Sequence, residues 1–179
     1  MEGNSMISKV MLVIASNDFH PVEYSVPKRI LEHSGITVIT ASDKTGEAVA
    51  KDKTTTDVDI ALENVSADDF DAIFFIGGPG SLEHLDNQTS YKLIKQAAEA
   101  KKPFGAICAA VRILAHAGVL KGKKVTGWNG DSGLGPILKE SHAIYTPKNV
   151  VVDNNIVTAV GPDAAQEFGA KILGVLGVQ

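Results

Sequence analysis

KKPFGAICAAVRILAHAG, residues 101–118, holds the chain's single cysteine where an extended apolar run turns into a helical pattern. KPFGAI reads as a buried strand, and residues 108–117 read as a helix stopped by Gly118. Gly105, Ala106, Ala109 and Ala110 leave room for a sharp strand-to-helix turn of the nucleophile-elbow kind, which lifts the side chain at its apex out of the core. There Cys108 faces unpaired backbone N–H groups and the positive end of a helix macrodipole, both of which stabilise a thiolate. A free cysteine is also among the residues most often buried as a small inert hydrophobe. The groups that the fold brings to the sulfur decide between the two.

Outward from this junction, strands and helices alternate. KVMLVIAS (residues 9–16), ITVITAS (36–42) and DAIFFIGG (71–78) are short continuous apolar runs, the mark of parallel strands covered on both faces. Residues 21–34 form a helical pattern with Val22, Val26, Ile30 and Leu31 on one face, and Pro27 inside it predicts a kink or a loosened first turn. The Thr-rich stretch 44–60 reads as a small hairpin excursion. A helix is expected over 90–100, a short strand in KKVTGW (123–128), and a short helix over 135–140. A hairpin turns at Asp153-Asn154-Asn155, and a last helix spans 163–176. The alternation predicts an α/β, doubly wound, flavodoxin-like domain with a mostly parallel sheet and right-handed crossovers.

Composition bounds the function. Residues 9–179 are enough for one domain with its own core, and residues 1–8 read as a lead outside it. A net charge of −4 with mixed signs leaves no basic footprint for nucleic acid and no polybasic membrane patch. No apolar run reaches membrane-spanning length. One cysteine forms no internal disulfide, so the cytoplasm is the expected location.

In open α/β sheets, functional groups gather beyond the carboxyl ends of the strands. Three features fall there: SNDFHPVEY (16–24) with Glu23, GGPGS (77–81), and Cys108. Glu23 read alone is a helix-start carboxylate. Facing the thiol, it titrates with it as a coupled pair, with Cys108 as thiolate and Glu23 protonated as the working state. Gly77-Gly78 read alone is a tight turn. Next to the sulfur, the N–H of Gly78 pairs with that of Ala109 as an oxyanion pocket. GGPGS is no dinucleotide fingerprint, and a flavin phosphate would be repelled by Glu23. No cofactor and no metal are expected.

Four segments, NDFHPVEYSVPKRILEHSG (17–35), IFFIGGPGSLEHL (73–85), PFGAICAAVRILAHAGVLKGKKVT (103–126) and VGPDAAQEFGAKIL (160–173), together resemble the ThiJ/PfpI superfamily. The resemblance implies a flavodoxin-like, class I glutamine amidotransferase-like sandwich, a homodimer, Cys108 as nucleophile, Glu23 as its protonated partner, and Gly78 with Ala109 as oxyanion donors. Activities across the family include conversion of methylglyoxal to lactate, deglycation, peptidase or amidase action, chaperoning and oxidation sensing.

Two departures matter. The protease-like branch has histidine after the cysteine, where this chain has Ala109. The deglycase-like branch brings a histidine from the segment after the next strand, where this chain reads VTGWNG with Trp128. His20, three residues before Glu23, is the best-placed remaining histidine, ahead of His84, His116 and His142, and Trp128 is a candidate pocket wall. The expected function is a cofactor-free thiol catalyst on small reactive carbonyls. The alternatives are an oxidation sensor acting through Cys108 and an intracellular peptidase or amidase. A glutamine amidotransferase activity needs a His-x-Glu pair, and none of the five histidines is followed by Glu at that spacing.

Overall fold

The computed structural model describes residues 8–178. The lead expected over residues 1–8 lies outside them except for Ser8, whose carbonyl already accepts a hydrogen bond from Thr37 N. Strand β1 (Lys9–Ile14) is followed by a three-residue strand, β2 (Asn17–Phe19), and helix α1 (Pro21–His33). Next come β3 (Thr37–Ser42) and the excursion, a hairpin of β4 (Gly46–Ala50) and β5 (Thr55–Val58), then β6 (Ile60–Ala61) and β7 (Ala72–Phe75). After β7 stand α2 (Ser81–Leu85), α3 (Gln88–Glu99), β8 (Phe104–Ile107) and α4 (Val111–His116). The last third holds β9 (Lys124–Val125), α5 (Leu134–Glu140), β10 (Ile144–Tyr145), β11 (Val150–Asp153), β12 (Ile156–Ala159) and α6 (Ala165–Leu176).

Seven strands make the central sheet in the order β11-β12-β8-β7-β1-β3-β6. All neighbours are parallel except β11 and β12, the antiparallel hairpin expected around Asn154. β1, β7 and β8 are buried almost throughout, which explains why they read as unbroken apolar runs rather than alternating ones. One face is covered by α1 packed on α6, where Phe168 meets Phe74 edge-on with ring centroids 5.9 Å apart. α3 and α4 cover the β7–β8 part of the sheet. This is the doubly wound, flavodoxin-like architecture expected.

Local departures have local causes. α1 runs through Pro27 as one helix, and Pro27 is buried where α6 brings Gly169 against it. A Cβ on Gly169 would stand 2.9 Å from Ile30 Cδ1, so the glycine sets how closely the two helices pack. α3 starts at Gln88 rather than Ser90 because Asn87 Oδ1 caps it by accepting from Ser90 N. The strand expected in residues 123–128 shrinks to Lys124–Val125, which pairs outside the main sheet with β10. Thr126 N turns instead to Thr158 Oγ1, 3.0 Å away. α2 and β2 lacked any periodic signal, being five and three residues long.

Gly105 lies between β7 and β12, and a Cβ there would sit 1.8 Å from the carbonyl oxygen of Val157. No rotamer relieves a clash with backbone. Gly105→Ala is therefore expected to destabilise the fold by about 3 kcal/mol, the upper range for overpacking, as read by urea unfolding.

Candidate active site

The order of the strands reverses beside β1: the chain winds outward through β3 and β6, then returns to β7 on the other side of β1. The carboxyl ends of β1, β7 and β8 thus share one rim at the switch point, where α/β sheets place their sites.

Cys108 leaves β8 with φ +63°, in the left-handed region that non-glycine residues rarely adopt. Ile107 before it is extended, and residues 108–110 form a single 3-10 turn before α4 begins at Val111. The α-helix thus starts three residues later than expected. Such backbone strain costs on the order of 1–3 kcal/mol, and it leaves the thiol half-buried.

Glu23, in the first turn of α1, has 0% exposure. Its Oε2 accepts a hydrogen bond of 3.0 Å from Gly77 N. Its Oε1 has no hydrogen-bond partner of ordinary geometry, and the Cys108 thiol lies close enough to perturb its titration. Gly77 makes the approach possible, since a Cβ there would stand 2.6 Å from Glu23 Oε2 and 2.7 Å from Cys108 Cβ. The Gly77 carbonyl also accepts from His20 N at 2.9 Å, so one glycine ties both the cap and the acid of α1 to the end of β7. Gly78 follows at φ +122°, with a Cβ excluded by His20 N at 2.5 Å. Its N–H and that of Ala109 both act to lower the Cys108 pKa.

Burial pushes the Glu23 carboxyl up to about 7, against lowering contributions from Cys108 and Gly77 N–H. Burial, and next the charge of Glu23, push the Cys108 thiol up to about 12, although the N–H groups of Ala109 and Gly78 pull it down. The expectation that unpaired backbone N–H groups and the helix dipole together lower the Cys108 pKa is corrected here, since burial raises it. One 3-10 turn and a six-residue helix carry little dipole, and desolvation outweighs them. The pair as a unit keeps one proton between about 7 and about 12. Either the thiol or the carboxyl can hold it.

A cavity of about 440 Å³ opens over the sulfur, lined by His20, Glu23, Lys51, Gly78, Pro79, Cys108, Ala109, Trp128 and Pro162. All six residues singled out from the sequence therefore meet there. His20 caps α1, its Nδ1 accepting from Val22 N at 3.3 Å. The proton of the neutral ring then sits on Nε2, and burial followed by Lys51 lowers the ring's pKa. His84 is paired with Asp43 and His116 with Asp86, while His142 is exposed. None of the three lines the cavity. Lys51 and Pro162 were not legible in advance. Lys51 arrives on the β4–β5 turn through Lys51 N bonding to Phe19 O, a contact without sequence signature. Among the described residues, no group of three or more His, Cys, Asp or Glu is placed to hold a metal ion. No described helix is long and apolar enough to cross a membrane.

A doubly wound sheet with a cysteine on a left-handed turn, set against a buried carboxyl at its switch point, defines a class of cysteine-bearing α/β sandwiches. Residues 8–174 match the DJ-1/PfpI family, and the chain belongs to it. An uncharacterized protein of Methanocaldococcus jannaschii is 38% identical, over 95% of this chain and 83% of its own. The putative cysteine protease YraA of Bacillus subtilis is 32% identical over 95% of this chain and 99% of its own. The ThiJ/PfpI domain protein from Brachyspira murdochii superposes with a TM-score of 0.90 at 30% identity, covering 96% and 98% of the two chains.

Burying Glu23 has a consequence for stability. Its folded pKa of about 7 exceeds the ordinary 4.5, so the folded state holds a proton that the unfolded chain releases between those values. Stability is full below about 4.5 and falls as pH rises to 7, by roughly 3 kcal/mol at 1.36 kcal/mol per unit. Glu23→Gln is therefore expected to stabilise the protein by about 2 kcal/mol at pH 8 and not below about pH 4. Chemical denaturation at the two pH values measures it.

Proposed function

We propose that this protein is a cofactor-free thiol enzyme acting on small reactive carbonyls, glyoxalase- or deglycase-like, with Cys108 as nucleophile and Glu23 as its proton partner. The observation that carries the reading is the buried Glu23 carboxyl held on Gly77 N–H in the cavity that Cys108, Gly78 and Ala109 also line. Sulfur adds to the aldehyde carbon as the thiol proton moves to Glu23. The carbonyl oxygen takes the electron pair between the N–H groups of Gly78 and Ala109. Glu23 returns the proton, giving a hemithioacetal. With a 2-oxoaldehyde, Glu23 then takes the C1 proton, the hydroxyl proton passes from the C1 oxygen to the C2 oxygen, and Glu23 delivers its proton to C2, which leaves the thioester of a 2-hydroxy acid. Water cleaves that thioester and frees the thiol. No oxidant enters, since C1 is oxidised as C2 is reduced.

The lack of a histidine at Ala109 and Trp128 favours slow turnover, because general acid–base help is worth roughly a hundredfold or more. The same lack, with a carboxyl and two N–H groups around the sulfur, supports a second reading: an oxidation sensor whose Cys108 sulfinate is held by protonated Glu23. Peptidase or amidase action, suggested by the name of the Bacillus relative, has weaker support. It needs a base beside the thiol, and the His20 nitrogen free to act as one is already occupied as a helix cap. A cytoplasmic homodimer belongs to the same proposal, supported by family membership and the single cysteine.

Methylglyoxal consumption, run beside peroxide titration with intact-mass readout, tests the reading. Turnover should vanish in Cys108→Ser and fall at least about a hundredfold in Glu23→Gln. Clean addition of two oxygens with no carbonyl turnover sinks the enzyme and leaves the sensor. Alkylation of Cys108 by iodoacetamide should rise with pH around a midpoint near 7, where the pair loses its first proton. In Glu23→Gln that midpoint moves to the ordinary thiol range of about 8.5 or above.

A further inference from the structure

Arg112 takes no part in the chemistry above, yet it is a buried cation on the helix that follows Cys108. It is 8% exposed, and its Nε has no hydrogen-bond partner. Its Nη2 bonds Asp131 Oδ1 at 2.6 Å, and its guanidinium lies 5.5 Å from the centre of the Trp128 ring. Burying an arginine on one exposed carboxylate is expensive unless the cation has further work.

The segment it grips is a strap, residues 127–133, crossing from β9 to α5. Trp128 N donates to the Cys108 carbonyl at 3.3 Å. Asp131 Oδ1 also accepts from Gly133 N, and Asn129 Oδ1 accepts from Leu134 N. Gly130 leaves space for the indole, for a Cβ there would sit 2.7 Å from the ring. Gly133 does the same for the guanidinium, with 3.1 Å to Arg112 Nη1. All these contacts converge on an indole that is 40% exposed and lines the Cys108 cavity. An exposed tryptophan needs no such restraint for packing. A wall that meets substrate does, because a mobile wall loses binding energy to ordering.

Three more of the lining residues, His20, Pro79 and Pro162, are also flat or ring-bearing, and Lys51 is the one lysine among them. About 440 Å³ falls within the range that holds whole drug-sized ligands, far more than a three-carbon oxoaldehyde fills.

We propose that Arg112, anchored by Asp131, is a positioning residue that sets Trp128 as the specificity wall over Cys108, and that the site selects reactive carbonyls bearing a flat apolar substituent. The substrate half of this statement rests on the carbonyl reading above; the wall does not.

The test compares wild type with Arg112→Met, Asp131→Ala, Trp128→Leu and the Arg112→Met/Trp128→Leu pair. Trp128 is the only tryptophan, so acrylamide quenching of its fluorescence reports its restraint without any substrate. Quenching should rise about twofold or more in Arg112→Met and Asp131→Ala, as a cation–π contact and its anchor are lost. Cys108 is then alkylated with iodoacetamide and with its N-benzyl analogue. The wild type should favour the benzyl reagent, and that preference should drop roughly threefold to tenfold in each single variant. Adding Arg112→Met to Trp128→Leu should change nothing further, since Arg112 acts through the indole. Should Arg112→Met fail to fold, Asp131→Ala carries the same comparison with the arginine retained. An unchanged benzyl preference in a folded Arg112 or Asp131 variant overturns the inference, as does a further loss in the double variant. Carbonyl turnover is assayed in parallel, with phenylglyoxal set against methylglyoxal. Absence of turnover with the benzyl preference intact sinks only the carbonyl reading. Turnover with equal KM for both aldehydes sinks the selectivity.

Discussion

A carboxyl and a thiol, each better solvated in water, are brought together at the end of β7 across a residue with no side chain. Gly77 is the point on which the site turns. Any Cβ there would strike Glu23 Oε2 and Cys108 Cβ together, and its two backbone groups hold the start of α1 in place through His20 N and the Glu23 carboxyl. The helix carrying the acid, the strand ending in the glycines and the turn carrying the cysteine therefore have one mutual position.

That position is unfavourable by itself. A buried acid kept from ionising, a cysteine in the left-handed region and a buried guanidinium with an unpartnered Nε each lower stability. They persist because the surrounding frame over-determines them. β1 is flanked on both sides by parallel partners, and β7 and β8 are covered on both faces. Each fully buried large apolar side chain in that sheet contributes about 1.5–3 kcal/mol. The strained turn at Cys108 is the outlet of a rigid sheet, which holds that side chain in one orientation.

Trp128 lines the cavity that Cys108 opens into, the Arg112 guanidinium lies 5.5 Å from its ring, and that guanidinium bonds Asp131 in turn. Glu23, Gly78 and Ala109 line that same cavity.

Much of this was legible in the chain. Unbroken apolar runs ending in Gly77-Gly78 and Cys108 are what buried parallel strands must look like, and the small residues around Cys108 announce the turn. Where the reading fell short, the information was not local. The helix through Pro27 is held by Gly169 on a distant helix, and Lys51 enters the cavity by a backbone bond to Phe19. The direction of the Cys108 pKa shift follows burial rather than the helix tip, because desolvation depends on everything packed around a group and periodicity records only one element at a time. By itself the sequence determined the strand order's raw material, the turn and the identities of acid, thiol and glycines. Tertiary structure alone decided how close the acid and thiol come, how dry they are and which cation holds the tryptophan, since each of these is a distance between segments that the chain leaves far apart.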